Sequence, residues 1–254
     1  MTNIPEFTFL DTDHIKVNKD FKVNVYEYGK NKHPILSLDN FLENPEDVVD
    51  LISKHPFPNS ESLKASHPGW RVHCFLDFQD IKTAIVEICN HYYDVEDYFK
   101  KKENRSPEID IQFNLYQGGN PCLLTSVLPH VDDAFIACNL HLNPDNENMG
   151  GTDFFSHVPT GLEGDYTFLF GEKFTNSREY FMLKETKRVS WMNNYQTIHD
   201  DYEVDSRQDY WERKFTVEAK FNRLNIYPAY LFHCVGMKKD WYLNKRYSLV
   251  AAIR

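Results

Sequence analysis

Apolar and polar residues alternate along Phe21-Lys22-Val23-Asn24-Val25-Tyr26, so residues 20–38 read as strand. The turn-rich stretch Leu38-Asp39-Asn40-Phe41-Leu42-Glu43-Asn44-Pro45 then leads into a helix. Val48, Val49, Leu51 and Ile52 give that helix its apolar face, and it ends near His55-Pro56. Residues 57–70 carry prolines and a Gly-Trp pair and read as a loop. Ile81, Ala84, Ile85, Ile88 and Tyr92 fall at helical spacing, which predicts a helix over 80–103. From about residue 108 the period shortens. Runs at 109–116, 127–142, 152–157, 165–170, 215–227, 229–234 and 246–253 alternate with turn clusters. That rhythm predicts a β-sandwich or barrel behind a helical flank, an α+β chain. Residues 171–214, polar and aromatic with Trp191, Tyr195, Tyr202, Tyr210 and Trp211, interrupt the rhythm and read as an insertion. We expect one domain over 1–254, with the flank at 1–107 and the β core at 108–254.

The chain has 254 residues, 41% of them hydrophobic and 15% aromatic, enough to bury a large core. With 28 Lys and Arg against 38 Asp and Glu, the net charge of −10 disfavours a nucleic-acid partner. No apolar run approaches the ~20 residues of a membrane helix. The opening MTNIPEFTFLDTDH has neither a basic start nor an apolar stretch, so no secretory signal and no membrane partner are expected. Cys74, Cys89, Cys122, Cys138 and Cys234 are odd in number, with no two at Cys-x-x-Cys spacing. A disulfide framework and a thiolate zinc site are therefore not expected, and a reducing cytoplasm is the expected location.

Candidate chemistry starts at Leu128-Pro129-His130-Val131-Asp132. On a strand, residues i and i+2 share a face, so His130 and Asp132 would present an imidazole and a carboxylate side by side, suited to a divalent metal. His233 lies in the apolar run Tyr230-Leu231-Phe232-His233-Cys234, 103 residues after His130. Alone it reads equally as a core histidine. With His130 and Asp132 it makes a two-histidine, one-carboxylate set that leaves positions open, as in non-haem Fe(II) oxygenases. Arg246 and Ser248 would share a strand face; alone Arg246 reads as an exposed strand arginine, whereas a buried one there calls for an anion.

The order His-x-Asp, glycine pair, distal His and Arg-x-Ser resembles the Fe(II)/2-oxoglutarate-dependent dioxygenases, and most of all their prolyl-4-hydroxylase-like branch. The resemblance extends to Tyr116-Gln117-Gly118-Gly119 before the His-x-Asp and to His141-Leu142-Asn143 after it. It continues through Gly150-Gly151-Thr152-Asp153-Phe154-Phe155 and the final Arg246-Tyr247-Ser248-Leu249-Val250. It implies a double-stranded β-helix core (jelly-roll or cupin-like) with flanking N-terminal helices. It implies Fe(II) on His130, Asp132 and His233, and 2-oxoglutarate held by Arg246 and Ser248, with Tyr116 on the cofactor. It implies ascorbate as a candidate reductant, O2 as cosubstrate and a peptidyl or small-molecule substrate whose C–H bond is hydroxylated. His141 stands where prolyl hydroxylases often carry a tyrosine near the 2-oxoglutarate tail. Donation to that carboxylate and a plain strand-end histidine are both open readings.

Three rivals use the same residues. A metal-dependent cupin enzyme without 2-oxoglutarate needs no anion at Arg246. A cupin-like binding protein would have no catalysis. A zinc hydrolase could use the same three ligands, but no general base stands beside them and Arg-x-Ser goes unexplained. Cys234 should face away from His233 as a small buried filler, and Asp133 should point away from the metal.

Overall fold

The computed structural model describes residues 15–54, 70–73, 78–116, 129–132, 134–143, 150–158, 161–164, 211–236 and 246–254. The expected strand at 165–170, nearly all of the expected insertion, Asp133 and most of the 57–70 loop lie outside them. Three helices and ten strands are described: β1 (Lys22–Tyr28), β2 (His33–Asp39), α1 (Pro45–Lys54), β3 (Trp70–His73), α2 (Gln79–Tyr93), α3 (Val95–Lys102), β4 (Ile109–Tyr116), β5 (Ile136–His141), β6 (Gly151–His157), β7 (Trp211–Glu218), β8 (Arg223–Pro228), β9 (His233–Gly236) and β10 (Arg246–Ile253). All pairings are antiparallel. They form a seven-stranded sheet, β1-β2-β8-β5-β10-β4-β3, and a three-stranded sheet, β7-β6-β9. The chain is thus α+β and mainly antiparallel. No helix among the described residues is long and apolar enough to cross a membrane.

The large sheet sorts its side chains by register. One row pairs Leu36, Ile226, Cys138, Ala251 and Ile111 across five strands, and the next pairs Leu38, Leu224, Leu140, Leu249 and Phe113. These buried rows face the helices. Phe78, just before α2, meets Phe113 edge-on at 5.6 Å, and Tyr98 of α3 stacks on Phe135 at 4.2 Å. Tyr93 Oη donates to the Pro34 carbonyl at 3.0 Å. The alternate rows carry the polar residues Ser37, Asn225, Asn139 and Gln112, then Asp39, Arg223, His141, Ser248 and Asn114. Because a strand alternates faces, this polar set lies on the side opposite the helices. Phe154 of β6 bridges the sheets, touching Tyr28 at 5.5 Å and Tyr227 at 5.1 Å.

α1 starts with Pro45 and two acids and ends on Lys54, and it buries Val48 and Ile52 one turn apart. The helix expected over 80–103 is two helices. Ile81, Ile85 and Cys89 hold a four-residue step, but the next buried positions are Val95 and Phe99. The chain resets the phase at Asp94, left-handed at φ 51°, whose N–H donates to the Asn90 carbonyl. Trp70, expected in a loop, opens β3.

Within 127–142 the described strand is only 136–141, and the run 215–227 is two strands with a turn between them. In the 229–234 run Ala229 and Tyr230 form a buried turn, Leu231 makes an isolated bridge with Gly164, and β9 begins at His233. Residues 211–214, expected at the end of the insertion, are the first half of β7, where Trp211 pairs with His157. The expected N-terminal flank also contributes to the large sheet, since β2 pairs with β8 and β3 with β4.

Candidate metal centre

His130 and His233 form an isolated antiparallel bridge, exchanging N–H···O bonds of 2.9 Å in both directions. Directly opposed residues put their side chains on one face, and the two imidazoles sit 4.8 Å apart between ring centres. Val131 turns the other way, against the cluster of Phe155, Trp211, Phe232 and Cys234. Asp132 N–H then donates to the Ala229 carbonyl at 3.0 Å, which returns its side chain to the histidines. The expected i, i+2 geometry is met by a bridge and an anchored valine, because residues 131 and 132 are not strand. Cys234, in that same cluster, faces away from His233 as the alternation predicts.

One donor atom from each of His130, Asp132 and His233 lies within 4.8 Å of the others. Asp132 Oδ2 is 3.2 Å from His233 Nε2, and Asp132 Oδ1 is 3.7 Å from His130 Nε2. His233 Nδ1 is 2.8 Å from the Leu231 carbonyl, so Nδ1 donates there and Nε2 is the ring nitrogen turned toward the cluster. Nε2 faces the Asp132 carboxylate at 3.2 Å, so with Nδ1 turned to Leu231 the atoms available to a cation converge there. That donor set fits a divalent transition metal. Exposure is graded: the His233 side chain is 4% exposed, His130 29% and Asp132 46%. The cluster is closed at His233 and open at Asp132.

The second group of expected residues lies on the large sheet. Ser248 is directly opposite His141 on β5 and Asn114 on β4, and Arg246 is opposite Tyr116 at the end of β4. Asn143 Oδ1 accepts the Tyr247 N–H at 2.7 Å, and Leu142 N–H donates to the Tyr247 carbonyl, pinning the start of β10 beside Arg246. Burial pulls the Arg246 guanidinium down to about 9, still cationic at neutral pH. His141 is pulled down to about 3, first by desolvation and then by the charges of Arg246 and Arg223, so it is neutral there. Arg223 itself is engaged by Asp39, at 2.5 and 3.0 Å.

Several polar residues of this interior had no motif to mark them. Tyr227 of β8 meets the His233 ring at 4.9 Å, and its hydroxyl accepts from Asn139 Nδ2 at 2.9 Å. Desolvation, then the Asp132 charge, raises its pKa, outweighing hydrogen bonds from Thr152 and Asn139 that act the other way, so it stays a phenol. Asn225 and Ser37 are fully buried and bonded to each other. The available signal was the alternation itself: Arg223-Leu224-Asn225-Ile226-Tyr227 and Cys138-Asn139-Leu140-His141 are strands whose polar positions share one face. The Gly150-Gly151 pair has a backbone reason. Gly150 sits at φ 72°, and a Cβ on Gly151 would lie 2.1 Å from the Val217 carbonyl oxygen.

Among solved structures, the chain is similar to a Pseudomonas putida prolyl-4-hydroxylase, with 10% identity over 87% of this chain and 92% of that one, TM-score 0.43. It is similar to a Trichoplax adhaerens prolyl hydroxylase in complex with a hypoxia inducible factor peptide fragment, with 12% identity over 88% and 84%, TM-score 0.44. A prolyl 4-hydroxylase from Phytophthora capsici is similar at 12% identity and TM-score 0.40, over 86% of this chain. The chain spans only 58% of that enzyme's length. No curated protein matches the chain. Residues 19–247 match the model of a family of unknown function, DUF6445, and the chain belongs to that family.

Proposed function

We propose that this protein is an Fe(II)- and 2-oxoglutarate-dependent dioxygenase that hydroxylates a C–H bond of a peptidyl residue, a free amino acid or a small metabolite. The observation that carries the reading is the convergence of His130, Asp132 and His233 within 4.8 Å; Arg246, cationic, lies among its strand partners in the large sheet. The winding supports a double-stranded β-helix. The chain places β4 in the large sheet, His130 against β9 of the small one, β5 in the large, β6 and β7 in the small, then β8, β9 and β10 in large, small and large.

His130, Asp132 and His233 are the residues that would hold iron. Arg246 would pair with the far carboxylate of 2-oxoglutarate, Ser248 and His141 would add hydrogen bonds, and Tyr116, opposite Arg246, is the remaining candidate on the cofactor. The chemistry supplied there is oxidative decarboxylation of 2-oxoglutarate by iron and dioxygen, coupled to hydroxylation and release of succinate and CO2. The protein's own residues supply orientation. The Leu231 carbonyl holds His233 in the tautomer that presents Nε2, and Phe154 and Tyr227 wall its ring from water. The exposed Asp132 edge is the side from which a substrate would reach the cluster.

The test is an anaerobic titration of the apoprotein with Fe(II), then 2-oxoglutarate, followed in the visible. A metal-to-ligand charge-transfer band that His233→Ala abolishes is the expected result. Iron binding without the band would transfer the assignment to a metal-only cupin enzyme. Failure to bind iron would leave a non-enzymatic barrel.

A further inference from the structure

Behind the proposed 2-oxoglutarate end of the site, two buried polar side chains and the half-buried His141 form a directional relay across β2, β8 and β5. Ser37 Oγ donates to Asn225 Oδ1 at 2.6 Å. That bond orients the amide, so Asn225 Nδ2 is the atom facing His141 Nε2 at 3.2 Å. An amide nitrogen only donates, so Nε2 accepts and the neutral ring carries its proton on Nδ1. Ser37 and Asn225 are 0% exposed, so water cannot substitute for either bond. The opposite strand neighbour of His141 is Ser248, two residues from Arg246. Nδ1 carries no hydrogen bond to any of the described residues.

We propose that Ser37 and Asn225 are positioning residues that lock His141 as the Nδ1–H tautomer, making Nδ1–H a fixed hydrogen-bond donor to the far carboxylate of 2-oxoglutarate beside Arg246. This rests on the dioxygenase reading and deepens it. The relay assigns a task to two residues outside every motif, and it decides between the two readings of His141. A neutral donor suits the place. Arg223 is held by Asp39 and Arg246 already supplies the cation, so a neutral His141 adds a donor without a further positive charge where one carboxylate is to be bound.

The experiment has two arms on the full-length chain. In the first, nitrogen-15 histidine NMR of the metal-free protein reads the tautomer, with the His141 signals identified by their loss in His141→Gln. Protonated Nδ1 and bare Nε2 are expected in the wild type, and protonated Nε2 in Asn225→Asp, which offers His141 only acceptors. A wild-type Nε2–H tautomer would overturn the proposal. In the second, the Kd of 2-oxoglutarate is measured calorimetrically on Mn(II)-loaded protein, with no turnover involved. Asn225→Asp should weaken binding about ten- to a hundredfold, the loss of one hydrogen bond to a charged group. Ser37→Ala, the milder variant should Asn225→Asp fail to fold, should weaken it about threefold or more, and Ser37→Thr should restore it. Unchanged affinity in Asn225→Asp and Ser37→Ala would sink the relay and leave the dioxygenase reading standing. A wild type that takes up Mn(II) but not 2-oxoglutarate would sink both.

Discussion

The two ends of the site are built by different means. At the metal cluster, three residues converge from one β-bridge and an irregular step, held by a packed valine, the bridge's reciprocal pair of hydrogen bonds and one from Asp132. At the arginine end, β4, β10, β5 and β8 lie side by side in continuous antiparallel register, with a further buried layer at Asn225 and Ser37. The candidate metal end is open on the Asp132 side, and on the proposed reading a cation would complete it. The arginine end is ordered by the sheet itself. On the proposed reading one end would be completed by a ligand while the other is preorganised, so equal-sized changes should have unequal consequences.

The largest expected effect is at the metal end. His233→Ala or Asp132→Ala should weaken Fe(II) binding by more than about a hundredfold, beyond the cost of losing a mere orienting partner. Equilibrium dialysis reads this, with an unchanged melting curve for the metal-free protein as the control. Retained binding in both variants would erase the contrast at its source.

At the other end, Arg246→Ala should raise the Kd of 2-oxoglutarate by about a hundredfold while leaving Fe(II) affinity within a factor of about three. Parallel loss of both affinities would mean that the two ends form one unit.

The preorganised end should also show itself in stability. The folded pKa of His141 is about 3 against 6.5 for a free histidine, so the unfolded chain binds more protons between those values. Stability should therefore be fully present above pH 6.5 and fall toward pH 3, by up to about 1.4 kcal/mol per pH unit from this residue. Burial lowers His33 and His157 as well, which adds to the same trend. Urea unfolding midpoints between pH 4 and 7 measure the slope, and His141→Gln should flatten it without abolishing it. A slope untouched by His141→Gln would place the titrating groups elsewhere.

The smallest effect is at the seam. Tyr227→Phe removes the acceptor of the Asn139 amide and should cost about 1–2 kcal/mol of stability, read by denaturant titration. Fe(II) affinity should change little, because Phe keeps the ring against His233. A large drop in metal binding would instead make the phenol part of the cluster.

Strands with strict alternation were legible at residue resolution. Ile109, Ile111, Phe113 and Leu115 mark β4, and Leu249, Ala251 and Ile253 mark β10, because one face of each is buried under helices. Continuous apolar runs misled. Ala229 and Tyr230 are as buried as strand residues, yet they form a turn packed under other elements. Burial explains their composition, and periodicity carries no information once both faces are covered. The break at Asp94 was hidden because apolar residues resume at Val95 after a skipped phase.

The metal-ligand candidates and Arg-x-Ser were readable because rare residue types stand at short spacings inside strand-like runs. From the sequence alone came the α+β class, the β-rich second half, the His130–Asp132 pairing and Arg246 and Ser248 on a common face, all consequences of local chain geometry. Only the tertiary structure brought His233 to the cluster from 103 residues away, laid Tyr227 against both His233 and Asn139, and placed Asn225 and Ser37 behind His141. Those relations depend on which strands become neighbours. Neighbourhood in an antiparallel sheet is set by the packing of whole elements, which no stretch of local pattern contains.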